Sequence, residues 1–190
     1  MIIIGITGRV GVGKSTAATI IESHFNATVC DLDLIGHKCL AKTSIKNQCS
    51  EAFGTHIFNV DGSINRHVLG DIVFSDSSKL TQLNEIVHPC IKQDVEQQIR
   101  AFSVNTIVVI VGALIKEIGL MELCNKIITI SANSKKIKEK IGEKYDIISP
   151  YQQNQDVYDS YADFVIMNNF DDQFKLELNK KVQEYLDHLS

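Results

Sequence analysis

Five runs of apolar, mostly β-branched residues punctuate the chain, at 2–7, 28–30, 106–111, 126–130 and 163–167. They carry little polar alternation. A strand solvated on one side alternates apolar and polar positions, whereas an unbroken run suits a strand covered on both faces. Between the runs lie stretches of helical spacing, the clearest from Lys14 through Phe25 and from about Asp171 to Leu189. Runs alternating with helices predict an α/β fold built on a parallel sheet. The stretch from about Leu32 to Phe102 breaks the alternation and reads as several helices with one turn, Asp61-Gly62-Ser63, between them. His88-Pro89 predicts a break between two of these helices, because proline fits the first helical position but not the interior. A second irregular stretch covers Glu143 to Tyr158. The expected organisation is one domain. Its core is about 1–31 and 103–190, with a helical insertion at about 32–102 and a short lid at about 143–158.

The junction between the first run and the first helix carries the strongest chemical signal. Residues 8–15 read Gly8-Arg9-Val10-Gly11-Val12-Gly13-Lys14-Ser15, a complete G-x-x-x-x-G-K-[ST] phosphate-binding loop. Its glycines let successive backbone N–H groups curl inward around phosphate oxygens. The positive end of the following helix adds to that field. Lys14 is expected to reach the β- and γ-phosphates, and the Ser15 hydroxyl to sit on Mg²⁺.

A second constellation, Asp31-Leu32-Asp33, follows the second run. Alternate residues at a strand end point the same way. The two carboxylates are therefore expected beside the phosphate loop, at the carboxyl edge of the sheet where α/β proteins bind ligands. Phosphoryl transfer to an alcohol needs a group on the acceptor hydroxyl and acids near the metal. Asp33 is the candidate base, and Asp31 the candidate for contact with a metal-bound water.

Composition narrows the setting. The 190 residues carry a net charge of −4, so there is no global basic field to attract nucleic acid. No segment is apolar for long enough to span a membrane, and the N-terminal run reads as a strand, not a signal peptide. Five cysteines (Cys30, Cys39, Cys49, Cys90 and Cys124) include no C-x-x-C pair, which fits reduced thiols in a cytoplasm better than a disulfide frame or a zinc site. The oligomeric state is not legible.

Taken together, the motifs resemble the dephospho-coenzyme A kinase family. The Gly5-Ile6-Thr7-Gly8 lead-in, the loop and the D-x-D are similar to that family's opening. So, in order, are Phe53-Gly54, Asp61-Gly62-Ser63-Ile64-Asn65-Arg66, Val73-Phe74, His88-Pro89 with Ile91, and Ala162-Asp163-Phe164-Val165-Ile166 followed by Asn168-Asn169. The resemblance implies a P-loop kinase-like, five-stranded parallel sheet flanked by helices, a helical acceptor-binding insertion and a lid. It also implies ATP-dependent phosphorylation of the ribose 3′-hydroxyl of dephospho-coenzyme A, the last step of coenzyme A synthesis. ATP and Mg²⁺ would serve as cofactors, and ATP and dephospho-coenzyme A as the small-molecule partners. Gly8, Arg9, Gly11, Val12, Gly13, Lys14, Ser15 and Thr16 would bind ATP, with Asn168 near the adenine. Asp33, Arg66 and His88 would face the acceptor. From the residues alone, Arg66 could equally be a surface charge, His88 a helix cap and Asn168 a turn residue.

Three departures from the family pattern stand out. Val111 occupies the place of an expected acid at the end of the third strand, and Ala113 that of a proline, while Leu114 and Glu117 fit. The lid has no arginine; the chain's arginines are Arg9, Arg66 and Arg100, and the nearby 135–140 run offers lysines. Lysine supplies charge without arginine's planar two-pronged clamp. Arg9 stands where a glycine is usual, and it either lies over the phosphates or points into solvent. These departures keep two alternatives open: a nucleotide-binding relative with weak or lost kinase activity, and a kinase of another small alcohol or nucleoside.

Overall fold

In the computed structural model, which describes residues 1–189, the chain forms two units, one made of 1–31 and 101–189 and the other of 32–100. The first unit contains every strand among the described residues: β1 (Ile2–Thr7), β2 (Thr28–Asp31), β3 (Ile107–Val111), β4 (Lys126–Ser131) and β5 (Phe164–Met167). They form one sheet in the order β2-β3-β1-β4-β5, parallel throughout. The order changes direction at β1, so the crevice at its carboxyl end is where ligands enter sheets of this kind.

Helix α1 (Lys14–Phe25) and the C-terminal helix, α9 (Asp172–Asp187), share one core with the sheet. Ile4, Ile6, Val109, Ile128, Ile130 and Ile166 from the strands pack with Ala17, Ala18 and Ile21 of α1 and Phe174, Leu178 and Val182 of α9. The intervening positions Val108, Ile110 and Ile127 are buried too. Coverage on both faces explains why the runs of β1, β3 and β4 lack polar alternation; the edge strand β5 departs from it, with Val165 and Met167 about half exposed. Each β-branched side chain also fits the pleated surface better than a helix. Between β4 and β5 the chain forms α6 (Ser134–Ile141), α7 (Glu143–Ile148) and α8 (Gln155–Asp159).

The second unit comprises α2 (Leu32–Ala41), α3 (Thr43–Phe53), α4 (Arg66–Phe74) and α5, which runs from Ser77 to Ala101. Helical spacing buries Leu32, Ile35 and Cys39 on α2, Ile45, Cys49 and Phe53 on α3, and Val87, Cys90, Ile91 and Val95 on α5. The Asp61-Gly62-Ser63 turn is held by the Ser63 N–H donating to Asp61 Oδ1 at 2.9 Å. Asn65 then caps α4, its Oδ1 accepting from the N–H groups of His67 and Val68.

Two local expectations are corrected. His88-Pro89 does not separate two helices, since Pro89 lies inside the continuous α5. One proline removes a single main-chain hydrogen bond, while the apolar stripe of α5 is buried on both sides of it, and that burial outweighs the local penalty. Asp31 and Asp33 do not both end a strand. Asp31 is the last residue of β2, and Asp33 lies in the first turn of α2. The chain turns helical at Leu32, so strand alternation ceases to govern where Asp33 points.

Candidate active site

The phosphate loop links β1 to α1. Gly8, Gly11 and Gly13 all have positive φ, at 134°, 76° and 100°. Two of these positions tolerate no side chain. A Cβ on Gly8 would lie 2.3 Å from the Ile130 carbonyl oxygen, and one on Gly13 would lie 2.3 Å from Asn168 Nδ2. Gly13 is also the N-cap of α1; it supplies no side-chain cap, and the first turn holds no acidic residue. The start of α1 thus supplies neither a capping side chain nor an acidic residue of its own, a condition under which a helix start can receive an anion. Lys14 Nζ donates to the Arg9 carbonyl at 2.8 Å, so the lysine arches back over its own loop. Ser15 and Thr16 are exposed.

Asn168 lies just beyond β5 and is 2 % exposed. Its Nδ2 donates to the Val12 carbonyl at 2.8 Å, and its Oδ1 accepts the Phe170 N–H at 2.7 Å. Both ends of the amide are therefore committed to backbone groups. One side chain ties the phosphate loop to the turn after β5, and Gly13 is the residue small enough to let it pass. Phe170 is held in a left-handed conformation, φ 62°, which is costly for a residue with a Cβ. The Asn168 bond fixes that turn and sets the ring as a wall. A cleft of about 390 Å³ opens there, lined among others by Thr16, Ile20, Lys140, Phe170, Phe174 and Lys175. Lys140 Nζ sits 4.4 Å from the centre of the Phe170 ring.

Replacing Asn168 with alanine is expected to cost about 2 kcal/mol, because the Val12 carbonyl and the Phe170 N–H lose their partner in a dry setting. Thermal unfolding should show a lower midpoint, and ATP titration a weaker affinity. An unchanged midpoint would contradict the tie.

The 143–158 segment meets the loop from another side. Arg9 Nη2 donates to the Ser149 carbonyl at 2.9 Å, and Arg9 Nε is buried without a hydrogen-bond partner. Arg9 therefore does not point into solvent; it reaches to the end of α7. Gln152 Oε1 accepts the Val10 N–H at 2.8 Å, so this segment holds one of the loop's amides. The 135–140 lysines lie on α6, exposed apart from the buried Ile137 between them.

Val111 is 3 % exposed and stands in register with both Ile6 of β1 and Asp31 of β2. The level of the sheet that lacks an acid on β3 thus has one on the neighbouring strand, at half-buried Asp31. The other candidates lie in the second unit. Asp33 is exposed in the first turn of α2, Arg66 is exposed at the start of α4, and His88 is half-buried within α5.

Comparison with known proteins decides the lineage. A family model described as dephospho-CoA kinase matches residues 2–171. The chain belongs to the dephospho-CoA kinase family. The dephospho-CoA kinase of Dehalococcoides mccartyi is 33 % identical over 178 residues, covering 89 % of each chain. That of Aquifex aeolicus is 30 % identical over 191 residues, covering 96 % of each. A crystal structure of a Thermus thermophilus protein superposes with a TM-score of 0.79 at 23 % identity, covering 100 % of this chain and 98 % of that one, a likeness of fold. The chain is thus a kinase-type transferase with the P-loop nucleotide-binding architecture of its family.

Several residues that shape this dephospho-CoA kinase site carry no local sequence signal. Gln152 lies in an irregular stretch, and Lys140 in a run that reads as a solvated helix face. Phe170 follows Asn168-Asn169, a pair typical of turns, but nothing local shows that the phenylalanine itself adopts the left-handed conformation.

Proposed function

We propose that the protein transfers the γ-phosphoryl group of ATP to the ribose 3′-hydroxyl of dephospho-coenzyme A. The observation that carries the reading is the phosphate loop. Its positive-φ glycines deliver an uncapped helix start, in a chain that matches the family along most of its length. The triphosphate lies along the loop amides, and Lys14 swings from the Arg9 carbonyl onto the β- and γ-phosphates. The adenine occupies the cleft beside Phe170, with Thr16 at its edge and Asn168 holding the wall. Ser15 Oγ, and Asp31 through water, are the groups that would hold Mg²⁺, which when bound neutralises charge on the phosphates.

Asp33 accepts the proton of the acceptor hydroxyl as its oxygen attacks phosphorus. A bond from that oxygen to the γ-phosphorus forms while the bond from the γ-phosphorus to the β–γ bridging oxygen breaks, leaving ADP. Arg66 and His88 face the acceptor. Arg66 brings a guanidinium suited to the anionic acceptor, which carries a pyrophosphate. Reduced compartments such as the cytoplasm suit an enzyme whose five cysteines form no disulfide among the described residues.

The deciding assay incubates the purified protein with ATP, Mg²⁺ and dephospho-coenzyme A and looks by mass spectrometry for the 3′-phosphorylated product. Product formation is expected. No product despite intact ATP binding would refute the assignment and favour the binding-module reading that Val111 motivates. A preferred acceptor other than dephospho-coenzyme A would replace the substrate.

A further inference from the structure

The cysteines Cys39 and Cys90 are far apart in sequence, on α2 and α5, and the fold brings them together inside the second unit. Asp94, one helical turn beyond Cys90 on the same face of α5, joins them. Their ligand atoms, two sulfurs and a carboxylate oxygen, all lie within 4.8 Å of one another. Cys39 is fully buried, Cys90 is 9 % exposed, and the Asp94 side chain is 19 % exposed. The sulfurs form a floor, and the carboxylate forms a rim that water reaches.

The two oxygens of Asp94 have different partners. Oδ2 takes the Cys39 thiol at 3.7 Å, whereas Oδ1 is held by Lys42 Nζ at 2.5 Å. Lys42, the residue between α2 and α3, therefore fixes the carboxylate with one oxygen turned toward the sulfurs. This is how metal-ligating carboxylates are oriented by neighbours that do not touch the metal. The charges also match. Two thiolates and one carboxylate carry three negative charges, which a divalent cation and the Lys42 ammonium balance. Two sulfurs and one oxygen form a donor set for a soft or borderline ion, not for Mg²⁺. Around a tetrahedral zinc ion, sulfur atoms stand about 3.8 Å apart, so the cluster needs to contract by about 1 Å or less.

We propose that Cys39, Cys90 and Asp94 form a binding site for one thiophilic divalent cation of the zinc class, with Lys42 orienting the carboxylate and a water completing the shell. Binding releases the two thiol protons to solvent and leaves the Lys42–Asp94 pair in place. A bound ion pins α2 to α5 within the unit. The site is independent of the phosphate loop, so it stands or falls apart from the kinase assignment. The absence of a C-x-x-C pair hid it, because its ligands come from two helices and not from one knuckle.

The test titrates the full-length, phosphine-reduced protein with Cd²⁺ and Zn²⁺ and reads stoichiometry and the ultraviolet thiolate-to-cadmium charge-transfer band. One ion per chain is expected. Cys39→Ser and Cys90→Ser should abolish the band, while Cys124→Ser should keep it. Asp94→Asn and Lys42→Gln should each weaken affinity about tenfold or more. Should a buried serine prevent folding, Asp94→Asn at the rim decides, and unchanged affinity there overturns the site. No uptake by folded protein, or uptake that survives Cys39→Ser, overturns it as well. So does a Cys39–Cys90 disulfide formed under oxidant by a protein that takes up no metal when reduced.

Discussion

Replacing Lys14 with alanine is expected to lower kcat by at least about tenfold, and toward a hundredfold if the lysine carries the transition-state charge. The charge on the transferring phosphoryl group grows on oxygens that the loop amides and Lys14 face together. An amide contributes a dipole; Lys14 contributes a full charge from the first residue of α1, a helix whose first turn holds no acidic residue. The same change removes the 2.8 Å bond to the Arg9 carbonyl, so the loop itself loses a tie. Folding and catalysis separate in the readout. A thermal midpoint near that of the parent protein with a collapsed kcat assigns the loss to chemistry, and a near-normal kcat refutes the role of Lys14.

Replacing Asp33 with asparagine is expected to lower kcat more than it weakens ATP binding. A base on the acceptor hydroxyl contributes typically about 10²–10⁴-fold, and asparagine keeps the shape while losing the proton acceptor. Asp33 is exposed in the first turn of α2, so the change disturbs no core packing. Its carboxylate also favours the helix start, which makes a small stability loss of about 0.5 kcal/mol the expected side effect. Steady-state kinetics with dephospho-coenzyme A, set against ATP affinity by calorimetry, separate the possibilities. Equal losses in kcat and in ATP affinity would make Asp33 a metal ligand and leave the base to another residue.

Both predictions rest on residues found before any coordinates, because each belongs to a contiguous motif. The phosphate loop is a stretch of local geometry: glycines that accept positive φ, a lysine and a serine at fixed offsets, a strand before and a helix after. Strands were legible for the same reason, since β-branched runs need no distant partner to be recognised, even at the edge, where β5 leaves Val165 and Met167 half exposed. The observed β1 and α1 coincide with the expected bounds, and β2 to β5 shift by a residue at one end.

Where the sequence reading failed, a local rule met a long-range one. Pro89 reads as a helix break by its own chemistry, but the buried stripe of Val87, Cys90, Ile91 and Val95 keeps α5 whole. Arg9 reads as bound for phosphate or solvent, yet it reaches Ser149, a residue that only the path of the chain between β4 and β5 brings near. The D-x-D pair looked like a strand end, yet the backbone turns helical between its two acids.

The chain's own residues thus set its strands, its phosphate loop and its lineage, because hydrophobic period and glycine stereochemistry act within a few residues. Tertiary packing alone decided that Asn168 spends both ends of its amide on Val12 and Phe170. It also decided that Gln152 holds Val10, and that Cys39, Cys90 and Asp94 meet. Those contacts join residues that carry no mark of one another in the sequence, and only the burial of shared apolar faces brings them within reach.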